Sequence, residues 1–372
     1  MKIGIITLPL HTNYGGILQA YALQTILERM GHQVQVIDCP LRKRISMLTY
    51  VKYAKRIFCK YLLGRDVIIM AEKKYNREQE IRETYIRPFI NKYIHYRNIV
   101  SFIEISPTDY DAIIVGSDQV WRPMCFVSMY NTKMENAFLE FTHEWNIKRI
   151  SYAASFGTDE WEYNQEQTDN CRKLVQMFDK ISVREKSAIS LCRQQWNVET
   201  KWVLDPTMLL KDGDYLKLIG EDSTQKGNLM CYVLDESPMI EEMISMISKK
   251  YQLTPFRANK SFSYQSSMEE NICPPVESWI KGFRDSNLII TDSFHACVFS
   301  ILFRKPFIVV GNRMRGYSRF ESLLENFSLK DRLIEQAEQF NPNMLLPLPE
   351  TVYNKLNTYR KESMEFLKES LG

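Results

Sequence analysis

The 372-residue chain contains no C-x-x-C pair and no apolar run near the roughly 18 residues of a membrane span, and its net charge is only +3. Each absence excludes a class of protein. The eight cysteines, scattered from Cys39 to Cys297, give neither a zinc knuckle nor a disulfide framework. Those inside apolar runs, such as Cys231 and Cys297, read as buried free thiols, which predicts a reducing, cytoplasmic setting. The small net charge argues against a nucleic-acid partner. Met1-Lys2 passes straight into Ile3-Gly4-Ile5-Ile6, too short a run for a signal-peptide core. No H-E-x-x-H, Walker loop, G-x-S-x-G or close ligand cluster occurs, so no metal is expected. Only Gly15-Gly16 follow the first strand, so the G-x-G-x-x-G of a dinucleotide site is missing as well.

What is present is an ordinary globular composition, 45% apolar and 25% charged, in a chain long enough for two cores. Residues 3–8 read as a strand, 11–16 as a loop, 17–30 as a helix closed by Gly31, and 34–38 as a second strand. That is one βαβ unit. From 41 to 107 the alternation breaks into a helical insertion. Strands resume at 112–115, 149–153, 180–183 and 201–204. After Asp205-Pro206-Thr207 they recur at 229–234, 253–256, 287–291 and 307–310. The pattern predicts an α/β protein of two Rossmann-like domains facing across a cleft, 1–205 and 206–345. The stretch 346–372 ends in a charged amphipathic helix, expected to pack back over the seam.

The insertion opens with an unusual segment. Residues 41–65 hold eight Lys or Arg and no Asp or Glu, interleaved with Met47, Leu48, Val51, Phe58 and Leu62. Two readings stand: peripheral contact with an anionic membrane, or a solvated helix that packs its apolar side on the domain.

Several turns fall at the C-terminal ends of strands, where an α/β sheet puts its ligands. Asn13-Tyr14-Gly15-Gly16 brings glycines whose backbone a ligand can approach closely. Gly116-Ser117-Asp118-Gln119-Val120-Trp121 offers paired acceptor and donor groups, and Trp121 either stacks on a sugar ring or fills core. At Ser182-Val183-Arg184-Glu185, Arg184 stands near a helix start, where a cation opposes the dipole; an anion clamp and a salt bridge both account for it. Thr291-Asp292-Ser293-Phe294-His295 joins a buried strand to an apolar helix. Asp292 and Ser293 are good N-cap residues, and the helix start they open is an anion site with a histidine in its first turn. Asp292, Ser293 and His295 are too close in sequence to form a triad.

These blocks, with Leu18-Gln19-Ala20-Tyr21-Ala22-Leu23-Gln24, Leu204-Asp205-Pro206-Thr207 and Arg319-Phe320 with Leu323-Leu324, resemble in order the polysaccharide pyruvyl transferase family. The likeness spans roughly residues 3–333. It implies a fold like the two-domain GT-B glycosyltransferases. It also implies transfer of a pyruvyl group from phosphoenolpyruvate, a co-substrate rather than a cofactor, to a sugar as a ketal. Such sugars belong to bacterial capsule, exopolysaccharide or cell-wall precursors, free or lipid-linked. For this chemistry His295 is the expected general acid and Asp118 the expected base. Arg184, Ser293 and Arg319 are expected to bind the anionic donor. Asn13, Tyr14, Gly15, Gly16, Gln119 and Trp121 are expected on the acceptor side. The rival readings are a GT-B glycosyltransferase using a nucleotide sugar and a non-catalytic sugar-binding scaffold.

Overall fold

The computed structural model describes residues 1–220, 227–259, 269–311 and 316–372. The chain opens with β1 (Lys2–Ile6), α1 (Tyr14–Arg29) and β2 (Gln33–Asp38), then α2 (Met47–Leu62), α3 (Ala71–Arg82) and α4 (Ile86–Tyr93). β3 (Tyr96–Asn98), β4 (Ala112–Val115), α5 (Pro123–Tyr130), β5 (Lys148–Ala154) and α6 (Gln165–Val175) follow, then β6 (Lys180–Val183), α7 (Lys186–Trp196), β7 (Lys201–Trp202) and α8 (Asp212–Leu216). The second half comprises β8 (Leu229–Tyr232), α9 (Pro238–Tyr251), β9 (Pro255–Arg257), α10 (Val276–Asp285), β10 (Leu288–Thr291) and α11 (Phe294–Leu302). It closes with β11 (Phe307–Val310), α12 (Tyr317–Phe327), β12 (Leu333–Ile334) and α13 (Glu350–Leu371).

The strands form two parallel sheets, one of seven in the order β3-β2-β1-β4-β5-β6-β7 and one of five in the order β12-β11-β10-β8-β9. β4, β10 and β11 are fully buried and carry the Ile/Val/Leu-rich runs typical of parallel strands covered on both faces; β8, read Leu-Met-Cys-Tyr, and β1 from Ile3 on are buried as well. The two chain halves therefore build two Rossmann-like units, each wound outward in both directions from one central pair. Those pairs are β1/β4 and β8/β10, and the strand order reverses at each.

The helical insertion is shorter than the expected 41–107. Tyr96–Asn98 pairs in parallel with Val36–Asp38 as the edge strand of the first sheet, so α2, α3 and α4 are a long crossover between neighbouring strands.

One apolar cluster runs unbroken through the seam, from Ile17 and Leu18 of α1 to Trp279 of α10 and Phe299 of α11. Tyr14 joins the two sides: its ring stacks on Trp279 at 5.7 Å and its hydroxyl donates to the Pro274 carbonyl at 2.8 Å. Helix α13 straps both units. Ser363 accepts from the Leu204 N–H at 3.0 Å and Phe366 meets Tyr152, while Tyr353 lies under the Arg304 guanidinium and Tyr359 against Phe327.

Candidate active site

The two reversal points face each other. The loops after β1, β4, β8 and β10 enclose a cavity of about 540 Å³ lined by Asn13, Tyr14, Asp118, Gln119, Tyr232, Ser293, His295 and Arg319 among others. A hollow of about 810 Å³ lies at the opposite edge of the first sheet, among Lys2, His32 and Gln33. Parallel sheets place their ligands at the carboxyl ends of strands, so the smaller cavity is the candidate.

His295 sits in the first turn of α11, mostly buried, with its ring against Gly15 at the start of α1. A Cβ on Gly15 would lie inside contact distance of the imidazole. The glycine thus admits the histidine, where sequence reasoning had it admit a ligand. Gly16 likewise gives room to Asn13, whose carboxamide caps α1 by accepting from the Gly16 N–H at 3.1 Å and donates to Asp118 at 3.2 Å. Of the acceptor-side residues on this loop, Asn13 and Tyr14 line the cavity, and both have their polar groups engaged by protein.

Behind His295 lies Asp205. Its Oδ2 stands 3.5 Å from His295 Nε2 and accepts from Ser117 Oγ and Arg184 Nη1, each at 3.0 Å. Its Oδ1 accepts from the Thr207 N–H at 3.0 Å and hydroxyl at 2.7 Å. Burial alone would raise this carboxyl group. The His295 imidazole, the Arg184 guanidinium and the Thr207 hydroxyl outweigh burial and hold it well below the carboxylate range. Asp205 is the functional candidate that sequence reasoning passed over. Its signal was there, in the Asp-Pro-Thr turn that pins one carboxylate oxygen.

Arg184 corrects an expectation. It precedes the N-cap of α7, is buried, and is paired with Asp205 at 3.0 Å and Asp118 at 3.6 Å, so it is no open anion clamp. Phe294 covers it, with the guanidinium carbon 4.5 Å from the ring centroid. The neighbouring Glu185 ties down the next loop, accepting from the Phe156 and Gly157 N–H groups.

Asp118 adopts a left-handed φ of 72° and bridges to Ala154 where β5 bulges against β6. Such strain at a non-glycine residue is held by surrounding structure and gathers at functional sites. Burial would raise its carboxyl group, but Arg184, His295 and Arg319 together lower it. An aspartate held ionised in this way is a weak proton acceptor and a good hydrogen-bond acceptor. That is a poorer base than the sequence suggested.

Trp121 is a second correction. It is fully buried, stacks on Phe138 at 5.0 Å and donates from Nε1 to the Ala137 carbonyl at 3.3 Å, so it is core rather than a sugar platform. Gln119 does line the cavity, with Oε1 near the Cys125 thiol at 3.7 Å. Ser293 occupies the N-cap position of α11 without a side-chain cap bond. Asp292 turns away to accept from the Leu234 and Asp235 N–H groups at 2.7 and 2.8 Å. The first-turn N–H groups of α11 thus have neither an intrahelical partner nor a capping side chain from Ser293.

Arg319, on α12, lines the same cavity, its guanidinium carbon 5.7 Å from the Phe294 ring centroid. Burial, then repulsion from Arg184, push it down to about 10, against the pull of Asp118. Two further cavity groups were not singled out from sequence. Burial lowers His11 to about 4, against Asp118, so it is neutral at pH 7. Arg82 reaches the cavity from α3. It lies in the insertion, where periodicity says nothing about the cleft.

A sequence model described as polysaccharide pyruvyl transferase matches residues 13–313. Comparison with curated protein sequences gives no significant match. Among solved structures, the UDP-GlcNAc 2-epimerase from Neisseria meningitidis bound to UDP-GlcNAc aligns at a TM-score of 0.50 and 9% identity, over 100% of this chain and 99% of that one. The UDP-GlcNAc 2-epimerase from Methanocaldococcus jannaschii aligns at 0.48 and 13% identity, over 96% and 92%. Arabidopsis thaliana UGT89C1 aligns at 0.46 and 10%, over 98% and 99%. At such identities the likeness concerns the fold alone, and with the two parallel sheets it is the GT-B architecture.

Proposed function

Since the chain belongs to the polysaccharide pyruvyl transferase family and is a transferase, we propose that it moves the pyruvyl group of phosphoenolpyruvate onto two hydroxyls of a sugar. The acceptor is a bacterial surface-polysaccharide precursor, free or lipid-linked, and the product is a cyclic ketal. A proton is added to the donor's methylene carbon, one sugar hydroxyl attacks C2, phosphate departs with its bonding pair, and the second hydroxyl closes the ring. The two hydroxyls lose two protons in all: one ends on the new methyl group and the other leaves on the phosphate.

The observation that carries this reading is the charge around the cavity. Arg319 stands in the cavity wall beside His295 and the N-terminus of α11, where Ser293 makes no side-chain cap bond. A guanidinium and a helix N-terminus together suit an anion. Phosphoenolpyruvate brings two anionic groups, phosphate and carboxylate. In this reading Arg319 and the α11 start bind the donor, with Ser293 at its edge. Arg184 acts from behind Phe294 by fixing Asp118 and Asp205. His295, oriented by Asp205 and seated on Gly15, is the general acid. Asp118 and Asn13, with Gln119, orient the acceptor hydroxyls.

The test is to incubate the protein with a panel of pyranoside acceptors and either phosphoenolpyruvate or UDP-sugars, following phosphate and UDP release. Phosphate release with gain of a pyruvyl ketal on the acceptor supports the reading. UDP release with a new glycosidic bond overturns it in favour of a glycosyltransferase. Turnover of neither donor by protein that binds the sugars favours the scaffold.

A further inference from the structure

An amphipathic helix in a folded protein ordinarily turns its apolar side inward. Helix α2 does the reverse. Thr49 and Tyr53, one turn apart, are its buried residues and form a narrow stripe against the protein. On the opposite face Met47, Val51, Ala54, Phe58, Tyr61 and Leu62 form a contiguous arc of about 100° around the helix. Phe58 is 52% exposed, Tyr61 73% and Leu62 71%. One flank is basic, with Lys55 and Lys52 on the same side of the arc, while exposed Tyr50 and Ile57 extend the other side; residues 41–65 carry eight Lys or Arg with no acid before Asp66. Arg56 clamps the helix in this attitude through Glu72 of α3, accepted at 2.6 and 3.0 Å by the two carboxylate oxygens.

We propose that the outward face of α2 docks on an anionic lipid bilayer. Charge selects the occupant. Arg42 and Arg56 are ion-paired within the protein, but a second copy of the chain would still set Lys52 and Lys55 against like charge, whereas an anionic surface offers them a counter-charge. An apolar arc with lysines along one side matches the boundary between headgroups and acyl chains: the rings and aliphatic chains enter, and the ammonium groups stay among the phosphates. The helix lies on the surface rather than crossing it, because among the described residues no helix is long and apolar enough to span. Helix α3, which holds α2 through Glu72, ends at Arg82 in the cavity wall, so the docked face and the cleft belong to one continuous crossover. The inference is independent of the reaction proposed above.

The experiment is flotation of the full-length chain with phosphatidylcholine vesicles, with and without phosphatidylglycerol. The protein is expected to float only with the anionic vesicles and to leave them as salt is raised. Val51→Glu with Phe58→Glu, both at exposed positions, should abolish flotation with the thermal transition unchanged. Lys52→Glu with Lys55→Glu should weaken it by roughly tenfold or more. Equal binding to both vesicle types overturns the role given to charge. Absence of binding to either, or a wild-type dimer in sedimentation velocity that Val51→Glu with Phe58→Glu dissolves, overturns the proposal as a whole.

Discussion

His295 Nε2 stands 3.5 Å from Asp205 Oδ2, although the two residues belong to different halves of the chain. The carboxylate that orients the imidazole is itself held by Arg184, Ser117 and Thr207, so the pair exists only when the two units are docked.

Replacing His295 with Gln keeps the volume and removes the proton donor. The expected result is a fall of roughly 10²–10⁴-fold in the rate of phosphate release from phosphoenolpyruvate, with the far-UV spectrum and melting temperature retained. Activity within a fewfold of wild type would assign the proton to another group.

Asp205→Asn removes a charge from a buried cluster and leaves Arg184 only the longer pairing with Asp118 at 3.6 Å. A loss of about 3–5 kcal/mol in urea unfolding at pH 7 is expected. The pH dependence follows from the sign of the shift. The folded carboxyl group titrates below its unfolded counterpart, so its stabilisation is complete above the unfolded value of about 4. It is lost as the pH falls below that. The stability gap between wild type and variant should therefore close on acidification below about pH 4. A gap constant from neutral pH into acid would show that the ionised form contributes nothing.

Gly15→Ala would raise helix propensity in an open helix, but here the new methyl group meets the His295 ring. Displacing that ring by even an ångström should cost roughly 10–100-fold in kcat. Overpacking should cost about 1–3 kcal/mol in unfolding free energy. If kcat stays level while stability drops, His295 is a packing residue and not the acid.

Arg319→Lys keeps a cation but loses the planar fork suited to phosphate and carboxylate. The KM for phosphoenolpyruvate should rise roughly tenfold or more while the KM for the sugar is unchanged. A rise confined to the sugar would move Arg319 to the acceptor side.

The first and second strands, the parallel pairs that follow and the final helix were legible because buried strands and amphipathic helices write their period into the sequence. Tyr96–Asn98 was not: a three-residue edge strand is too short for alternation to register. The loops that line the cavity were legible for a general reason, that they follow strand ends. The roles within them were harder. Trp121 and Gln119 are two residues apart on one loop, yet one is sealed among aromatic rings and the other faces the cavity. Residue type and spacing are the same evidence for both. Arg184 had two sequence readings, clamp or salt bridge, and only its distances to Asp205 and Asp118 select the second.

The sequence by itself determined the two-unit parallel architecture, the family, and the turns from which the cleft is built, because strand periodicity and short ordered motifs are local properties. The tertiary structure decided which side chains share the cavity. Asp205, Gly15 and His295 come from three distant segments, and their contact depends on how two separately wound sheets dock through Tyr14 and Trp279. The direction of α2 was decided at the same level. Its apolar arc is written in the sequence, but whether that arc faces the core or the solvent depends on which narrow stripe the rest of the fold covers.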